Sequence, residues 1–343
     1  MKALSLQAYN QFELIDVPLP EIGPEDVLIQ VKAVGICGSD VHGMTGSTGR
    51  RLPPVTMGHE ASGIIEQVGA AVTDWKVGDR VTMDSTVYCG KCPYCKRGQI
   101  NLCDDRMVLG VSTPDFKKDG AFAEYVAVPA RILYRLPDGL PIEYAAMTEP
   151  VSIGYHAWVR SKMQPGETAI VVGSGMIGLL LIQVLKAKGC GKIIAIDIDN
   201  DKLTLAQKLG ADHALNARDE TLIEAIRALT GGEGVDHAFE VVGATAPIGT
   251  AIDAVRKGGT VILIGNVSPE VTIHLQKAVT KELNILGSCA SSGEYPECLE
   301  LIAQGHINME AFISSQPPLA DGAEWFKRLY DQEPGLMKVI LKP

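Results

Sequence analysis

Four cysteines, Cys89, Cys92, Cys95 and Cys103, follow one another as C-x2-C-x2-C-x7-C and are half of the eight in the chain. A tetrahedral metal needs four soft ligands converging on one point. Two-residue gaps let the backbone turn back so that successive thiolates face the same ion. Gly90 and Pro93 lie inside those gaps, where tight turns are needed. Four thiolates leave no open position, so the spacing predicts a closed, structural Zn2+ in a lobe of about residues 85–108. Disulfides are the alternative. They are disfavoured because the sequence opens MKALSLQAYNQFELIDV with no signal peptide, and intracellular thiols stay reduced.

A second group carries different chemistry. Cys37 lies in Gly35-Ile36-Cys37-Gly38-Ser39-Asp40-Val41-His42, just after a strand end, and His59 and Glu60 lie in Met57-Gly58-His59-Glu60. With Glu149 they offer a thiolate, an imidazole and carboxylates, a set that suits a zinc with one position left open for substrate. Taken singly, a cysteine after an apolar strand is a small buried hydrophobe and a histidine beside a glutamate is a surface pair. Adjacent residues on a regular strand point to opposite faces, so which of Glu60 and Glu149 is a ligand stays open.

A third motif is Gly173-Ser174-Gly175-Met176-Ile177-Gly178, a G-x-G-x-x-G loop between the strand Ala169–Val172 and a helix. That context is what the motif requires. The first glycine makes the turn and the second lets the backbone approach a pyrophosphate. The third lets helix and strand pack closely, and the helix N-terminus faces the phosphates. Asp197 stands nineteen residues beyond Gly178, where a carboxylate accepts hydrogen bonds from ribose hydroxyls and repels a 2′-phosphate, favouring NAD. A glycine motif serving packing alone is the rival reading.

The elements that must position these residues fall into two halves. The 343 residues suggest about two domains, and 46% hydrophobic with 21% charged residues fits a soluble globular protein. A net charge of −10 argues against nucleic acid. The uncharged run from Thr168 to Leu185 has membrane-spanning length, but Gly173, Ser174 and Gly175 break it, so a buried strand and helix explain it better. A cytoplasmic protein with no membrane partner is expected. Up to about residue 150, short strands such as Val27–Val34 and Ser62–Val68 alternate with Pro and Gly turns, predicting a β-rich barrel. From about residue 160, strands expected at Thr168–Val172, Lys192–Asp197, Val235–Val242 and Thr260–Ile264 alternate with helices at Met176–Lys188, Asp201–Leu209, Glu220–Leu229 and Ala246–Arg256. That alternation predicts a doubly wound parallel sheet. A helix Glu294–Gln304 and a strand Lys338–Lys342 end the chain and are candidates to pack on the first half.

The four motifs, Cys37-Gly38-Ser39-Asp40, Gly58-His59-Glu60-x2-Gly63-x5-Gly69, the cysteine lobe, and the glycine loop with Asp197, occur in the order of the medium-chain zinc alcohol dehydrogenases, which this chain resembles over nearly its whole length. Glu149-Pro150 is similar to the Glu-Pro pair of the polyol, or sorbitol-like, branch. The resemblance implies a GroES-like catalytic domain at 1–153 and 289–343 and a Rossmann domain at 154–288. It implies two zinc ions per chain, one catalytic and one structural, and NAD. Cys37 and His59 would bind the catalytic zinc, and Glu60 and Glu149 would complete it or exchange with water. Ser39 and His42 match proton-relay positions, Lys202 a ribose contact five residues after Asp197, and Val242 joins the cofactor-binding residues. A zinc lowers the pKa of bound water from about 16 to about 7; for an alcohol, that is on the order of 12 kcal/mol of alkoxide stabilisation. The expected reaction oxidises a secondary hydroxyl of a small polyol to a ketone, with hydride passing to NAD in a cleft between the halves.

One departure bears on substrate. No aromatic follows His42, and Arg50 and Arg51 occupy the following loop, either as solvated residues or as partners of a phosphorylated polyol resembling galactitol 1-phosphate. L-threonine is a further substrate rival, and a non-catalytic zinc-binding module is the rival from another class, disfavoured by the acidic charge. Cys190, Cys289 and Cys298, with His156, His213, His237, His274 and His306, read as residues without chemistry. A homo-oligomer, dimer or tetramer, is implied, with Lys281–Gly287 as an edge strand.

Overall fold

The computed structural model describes residues 1–343, and they divide into two compact units, Met1–Glu149 with Ser292–Pro343, and Pro150–Ser291.

In the first unit, Asp26–Gly35 is the central strand. It pairs antiparallel with Glu60–Val68 on one side and with the C-terminal Lys338–Leu341 on the other, where Ile340 faces Gly35. The sheet runs Leu133–Arg135, Arg80–Met83, Glu60–Val68, Asp26–Gly35, Lys338–Leu341, Ile313–Ser315, and Tyr125–Pro129 also pairs with the central strand. Alternation of apolar and polar residues explains why it closes on a core. Val27, Ile29 and Val31 point inward with Ile65, Val81, Phe122, Val339 and Leu341. The chain's end therefore belongs to the β-rich unit, because the strand VIL of the tail supplies apolar residues to both faces of its sheet.

The second unit is a six-stranded, all-parallel sheet in the order His213–Asn216, Lys192–Asp197, Thr168–Val172, Val235–Glu240, Val255–Leu263, Asn284–Gly287. Continuous β-branched runs suit strands covered on both faces. The uncharged segment resolves into Thr168–Val172 and the helix Met176–Ala187, whose residues from Gly178 to Leu185 are buried. No helix is long and apolar enough to cross a membrane. The sheet order reverses beside Thr168–Val172, the place where open α/β sheets bind ligands.

Among the elements that differ from the sequence expectation, two are instructive. The short strand His213–Asn216, with every residue half-buried, was not anticipated. Thr148–Ser161 is a fourteen-residue helix, although helical periodicity was expected only from about residue 160. Pro150 is the reason: it reads as a break, yet in a first turn it removes no hydrogen bond, because that N–H has no intrahelical partner. Glu149 is therefore a helix residue, one position before the unit boundary.

Candidate active site

The cysteine lobe is built by its own backbone. Gly90 takes φ +73°, a left-handed turn that a side chain would strain, and Pro93 opens the helix Pro93–Lys96 with Cys92 as its N-cap. The turn aims amides at sulfur. The N–H groups of Lys91 and Cys92 donate to Cys89 Sγ at 3.5 and 3.4 Å, that of Cys95 to Cys92 Sγ at 3.5 Å, and that of Cys89 to Cys103 Sγ at 3.2 Å. All four cysteines are free, and their sulfurs lie within 4.8 Å of one another. The Cys95 amide holds Cys92 down to about 6, while burial pushes Cys95 up to about 12. Amide donors around thiols with no carboxylate or imidazole among them fit a closed, charge-stabilised Zn2+.

The second group is deeper and chemically mixed. Cys37 caps the short helix Gly38–Gly43; Gly58, at φ +97°, turns the chain into His59; and Glu60 begins the strand Glu60–Val68. Because His59 precedes the strand, the alternation of faces does not apply to it. Its side chain and that of Glu60 meet the Cys37 sulfur, with ligand atoms all within 4.8 Å. Glu60 is fully buried and its Oε2 accepts from Lys338 Nζ at 2.6 Å, while Oε1 is buried with no hydrogen-bond partner. Burial works against the His59 imidazolium, but Asp40 and Cys37 outweigh it and raise its pKa well above the usual value. A thiolate, an imidazole and a carboxylate oxygen with a spare lone pair form a donor set that fits zinc.

Charges around the group are individually compensated. Asp40 is fully buried, with Oδ1 at 2.9 Å from Arg51 Nη2 and 3.4 Å from His59 Nδ1. Burial would raise its pKa, yet His59 and Arg51 hold it well below the carboxylate range. Lys338 is 1% exposed and donates to the Ile36 carbonyl as well as to Glu60. Burial disfavours its charged form, but Glu60 and Cys37 raise its pKa. Arg51 is thus a buried ion-pair partner and not the solvated loop residue expected, since its guanidinium is needed where Asp40 would otherwise be a lone buried anion.

Glu149 does not join the ligand atoms of Cys37, His59 and Glu60 at that spacing. It accepts from Ser85 Oγ at 3.3 Å, and burial, opposed by the charge of His59 and reinforced by that of Glu60, pushes it up to about 7. Ser39 and His42 are exposed, three residues apart on one face of the helix Gly38–Gly43. Of the other cysteines, Cys298 is buried, Cys190 half-buried and Cys289 exposed. His156 and His237 are buried, His213 half-buried, and His274 and His306 exposed; His237 Nε2 lies 2.8 Å from Glu167. Asp40 and Lys338 are residues that sequence reasoning left without a role, and for Arg51 it offered only a solvated loop or a substrate phosphate. Asp40 lay inside a quoted motif, but nothing in the sequence near Lys338 marks it.

In the second unit the glycine loop has the shape its motif implies. Gly173 is at φ +102°, where a Cβ would lie 2.7 Å from Val242 Cγ2. At Gly178 a Cβ would fall 1.9 Å from the Gly173 carbonyl oxygen, so only glycine lets the helix approach. Gly175 is the N-cap of Met176–Ala187 and nothing lies within 4 Å of where its Cβ would be. That open space at a helix N-terminus is the cradle a pyrophosphate needs. Asp197 accepts from the Ser174 amide at 2.7 Å and from Asp199 N–H at 3.0 Å, which fixes its carboxylate beside the loop. Lys202 is exposed on the helix Asn200–Lys208.

Comparison with known proteins agrees with this geometry. A family model described as alcohol dehydrogenase GroES-like domain matches residues 23–138, and one described as zinc-binding dehydrogenase matches residues 177–304. The chain is 36% identical to sorbitol dehydrogenase of Bacillus subtilis (strain 168), covering 100% of this chain and 97% of that protein. It is also 36% identical to D-arabitol-phosphate dehydrogenase of Enterococcus avium, covering 96% and 95%. The crystal structure of galactitol-1-phosphate dehydrogenase from Escherichia coli superimposes with TM-score 0.92 at 28% identity, over 100% of both chains.

Proposed function

The chain belongs to the zinc-binding alcohol dehydrogenase family, with a GroES-like domain and a Rossmann domain, and on that footing we propose that it oxidises a secondary hydroxyl of a polyol to the ketone with hydride transfer to NAD. The observation that carries this reading is the donor set of half-buried Cys37 with buried His59 and Glu60, with ligand atoms within 4.8 Å and an unpartnered oxygen on Glu60.

A bound zinc would supply Lewis-acid stabilisation of the alkoxide. The side chains do the rest. Cys37, His59 and Glu60 would hold the metal, and Lys338 compensates the Glu60 carboxylate in a dry setting by occupying Oε2 and leaving Oε1 free. Glu149, pushed up to about 7, stands by as a second carboxylate. Ser39 and His42, exposed on one helix face, move the hydroxyl proton to solvent. Gly173, Gly175 and Gly178 admit the pyrophosphate, Asp197 and Lys202 hold the adenosine ribose, and Val242 packs beside the loop.

A negative Asp197 repels a 2′-phosphate. Replacing it, Asp197→Ala, raises the kcat/KM for NADP relative to NAD; an unchanged ratio removes Asp197 from coenzyme choice. The substrate is an unphosphorylated polyol, like the sorbitol named for the Bacillus relative, because Arg51 is committed to Asp40 and only Arg50 is left exposed to meet a phosphate. The enzyme is a homo-oligomer through Asn284–Gly287, an edge strand whose end residues are exposed, in a unit that also exposes Val267, Leu275 and Val279. Eight free thiols, five of them required as thiolates by the two metal sites, support a reducing compartment such as the cytoplasm.

The test is formation of reduced nicotinamide from NAD, with NADP as control, across polyols, polyol phosphates, simple secondary alcohols and L-threonine. Turnover with a free polyol, lost on zinc chelation, supports the reading. Turnover confined to polyol phosphates or L-threonine overturns the substrate class, and none at all with two zinc ions bound overturns the choice of substrates altogether.

A further inference from the structure

Two buried cations serve the metal group, and they do different work. Lys338 touches a ligand directly, whereas Arg51 touches none. Its Nη2 and Nε both donate to Asp40 Oδ1, at 2.9 and 3.3 Å. Asp40 is the joint between the two ligand-bearing segments. Its Oδ2 accepts the Cys37 amide at 3.4 Å, and its Oδ1 faces His59 Nδ1 at 3.4 Å. His59 Nδ1 is buried and makes no hydrogen bond, so the Asp40 carboxylate is the charged group that faces it. On its Nδ1 side the ring faces a carboxylate that Arg51 holds in place.

The surrounding chain is shaped to deliver that guanidinium. Ser112 N–H donates to the Arg50 carbonyl at 3.2 Å and Leu52 N–H to the Ser112 carbonyl at 3.0 Å, which fixes the backbone on either side of Arg51. The aliphatic stem then crosses the helix Gly38–Gly43 at its last residue. A Cβ on Gly43 would lie 2.4 Å from Arg51 Cγ, although Gly43 has no left-handed backbone to explain its glycine. The bare position is explained by the arginine passing over it.

We propose that Arg51 is a positioning residue for the zinc ligand His59: by pinning Asp40 against Nδ1 it orients the imidazole with Nε2 toward the metal, and Gly43 is bare so that it can do so. The inference rests on the reading above that Cys37 and His59 hold a catalytic zinc. Outer partners of metal-bound imidazoles commonly change metal affinity or activity by about 10- to 100-fold when removed.

The experiment titrates the purified zinc-loaded protein with a chromophoric chelator and follows both zinc ions, with the cysteine lobe as internal reference. Arg51→Met weakens one zinc by about 10- to 100-fold and leaves the other unchanged. At saturating zinc its kcat falls while KM for the dinucleotide holds, and Arg51→Lys recovers part of both losses. Wild-type zinc affinity and kcat in Arg51→Met, with or without a fall in Tm, overturn the proposal and leave the arginine a staple between loop and helix. If that variant does not fold, Gly43→Ala keeps every charge and displaces only the stem; weakening of the same zinc supports the proposal and wild-type affinity overturns it. A wild-type protein with a single zinc, held by the lobe, overturns the catalytic-zinc reading itself, a result distinct from two zinc ions that ignore Arg51.

Discussion

The two metal-ligating groups of the first unit are built on opposite plans. In the lobe, all four ligands come from Cys89 to Cys103, their sulfurs receive backbone amides, and no charged side chain is paired with them in that shell. In the other group the ligands come from separated segments, and the carboxylates of Asp40 and Glu60 are fully buried, each with a cation of its own, Arg51 for Asp40 and Lys338 for Glu60. Local backbone suffices for a site that only has to close. A site that must keep a lone pair free in a dry environment needs long-range charge compensation, because an unpaired buried carboxylate takes a proton or costs several kcal/mol.

That contrast can be broken most decisively in the lobe. Cys95→Ser removes one ligand from a closed site, where zinc-binding free energy is on the order of 10 kcal/mol. One zinc is lost, residues 89–103 become protease-sensitive, and the second zinc stays. Loss of turnover in molecules that keep the second zinc contradicts a purely structural role.

A smaller effect is expected at the ion pair. Lys338→Met strands Glu60 as a buried anion, with a fall of roughly 3–5 kcal/mol in unfolding free energy. The double variant Lys338→Met with Glu60→Gln recovers most of it; equal losses in single and double variants mean that the lysine matters for packing alone. Smallest of all is Glu149→Gln. If Glu60 completes the site, zinc stoichiometry is unchanged and turnover falls by less than about tenfold, about 1.4 kcal/mol in barrier. Loss of the second zinc instead makes Glu149 the ligand.

The same contrast explains what was legible in the sequence. The lobe reads from its spacing because its ligands and turns are local, Gly90 and Pro93 included. The glycine loop reads because Gly173 and Gly178 answer to backbone geometry. The partners of the buried group did not read, since Lys338 reaches Glu60 across 278 residues through strand pairing that no local pattern announces. Arg51 was taken for a loop residue because burial is a property of the fold, and the helix at Thr148 was hidden by a proline that its first turn tolerates.

The most direct test of the account counts zinc and measures turnover in Cys37→Ser beside the wild type. Two zinc ions per wild-type chain, one in the variant, and turnover lower by about a thousandfold or more are predicted, since Lewis-acid stabilisation contributes several kcal/mol to the barrier. One zinc in both proteins, or a variant that turns over at the wild-type rate, contradicts it.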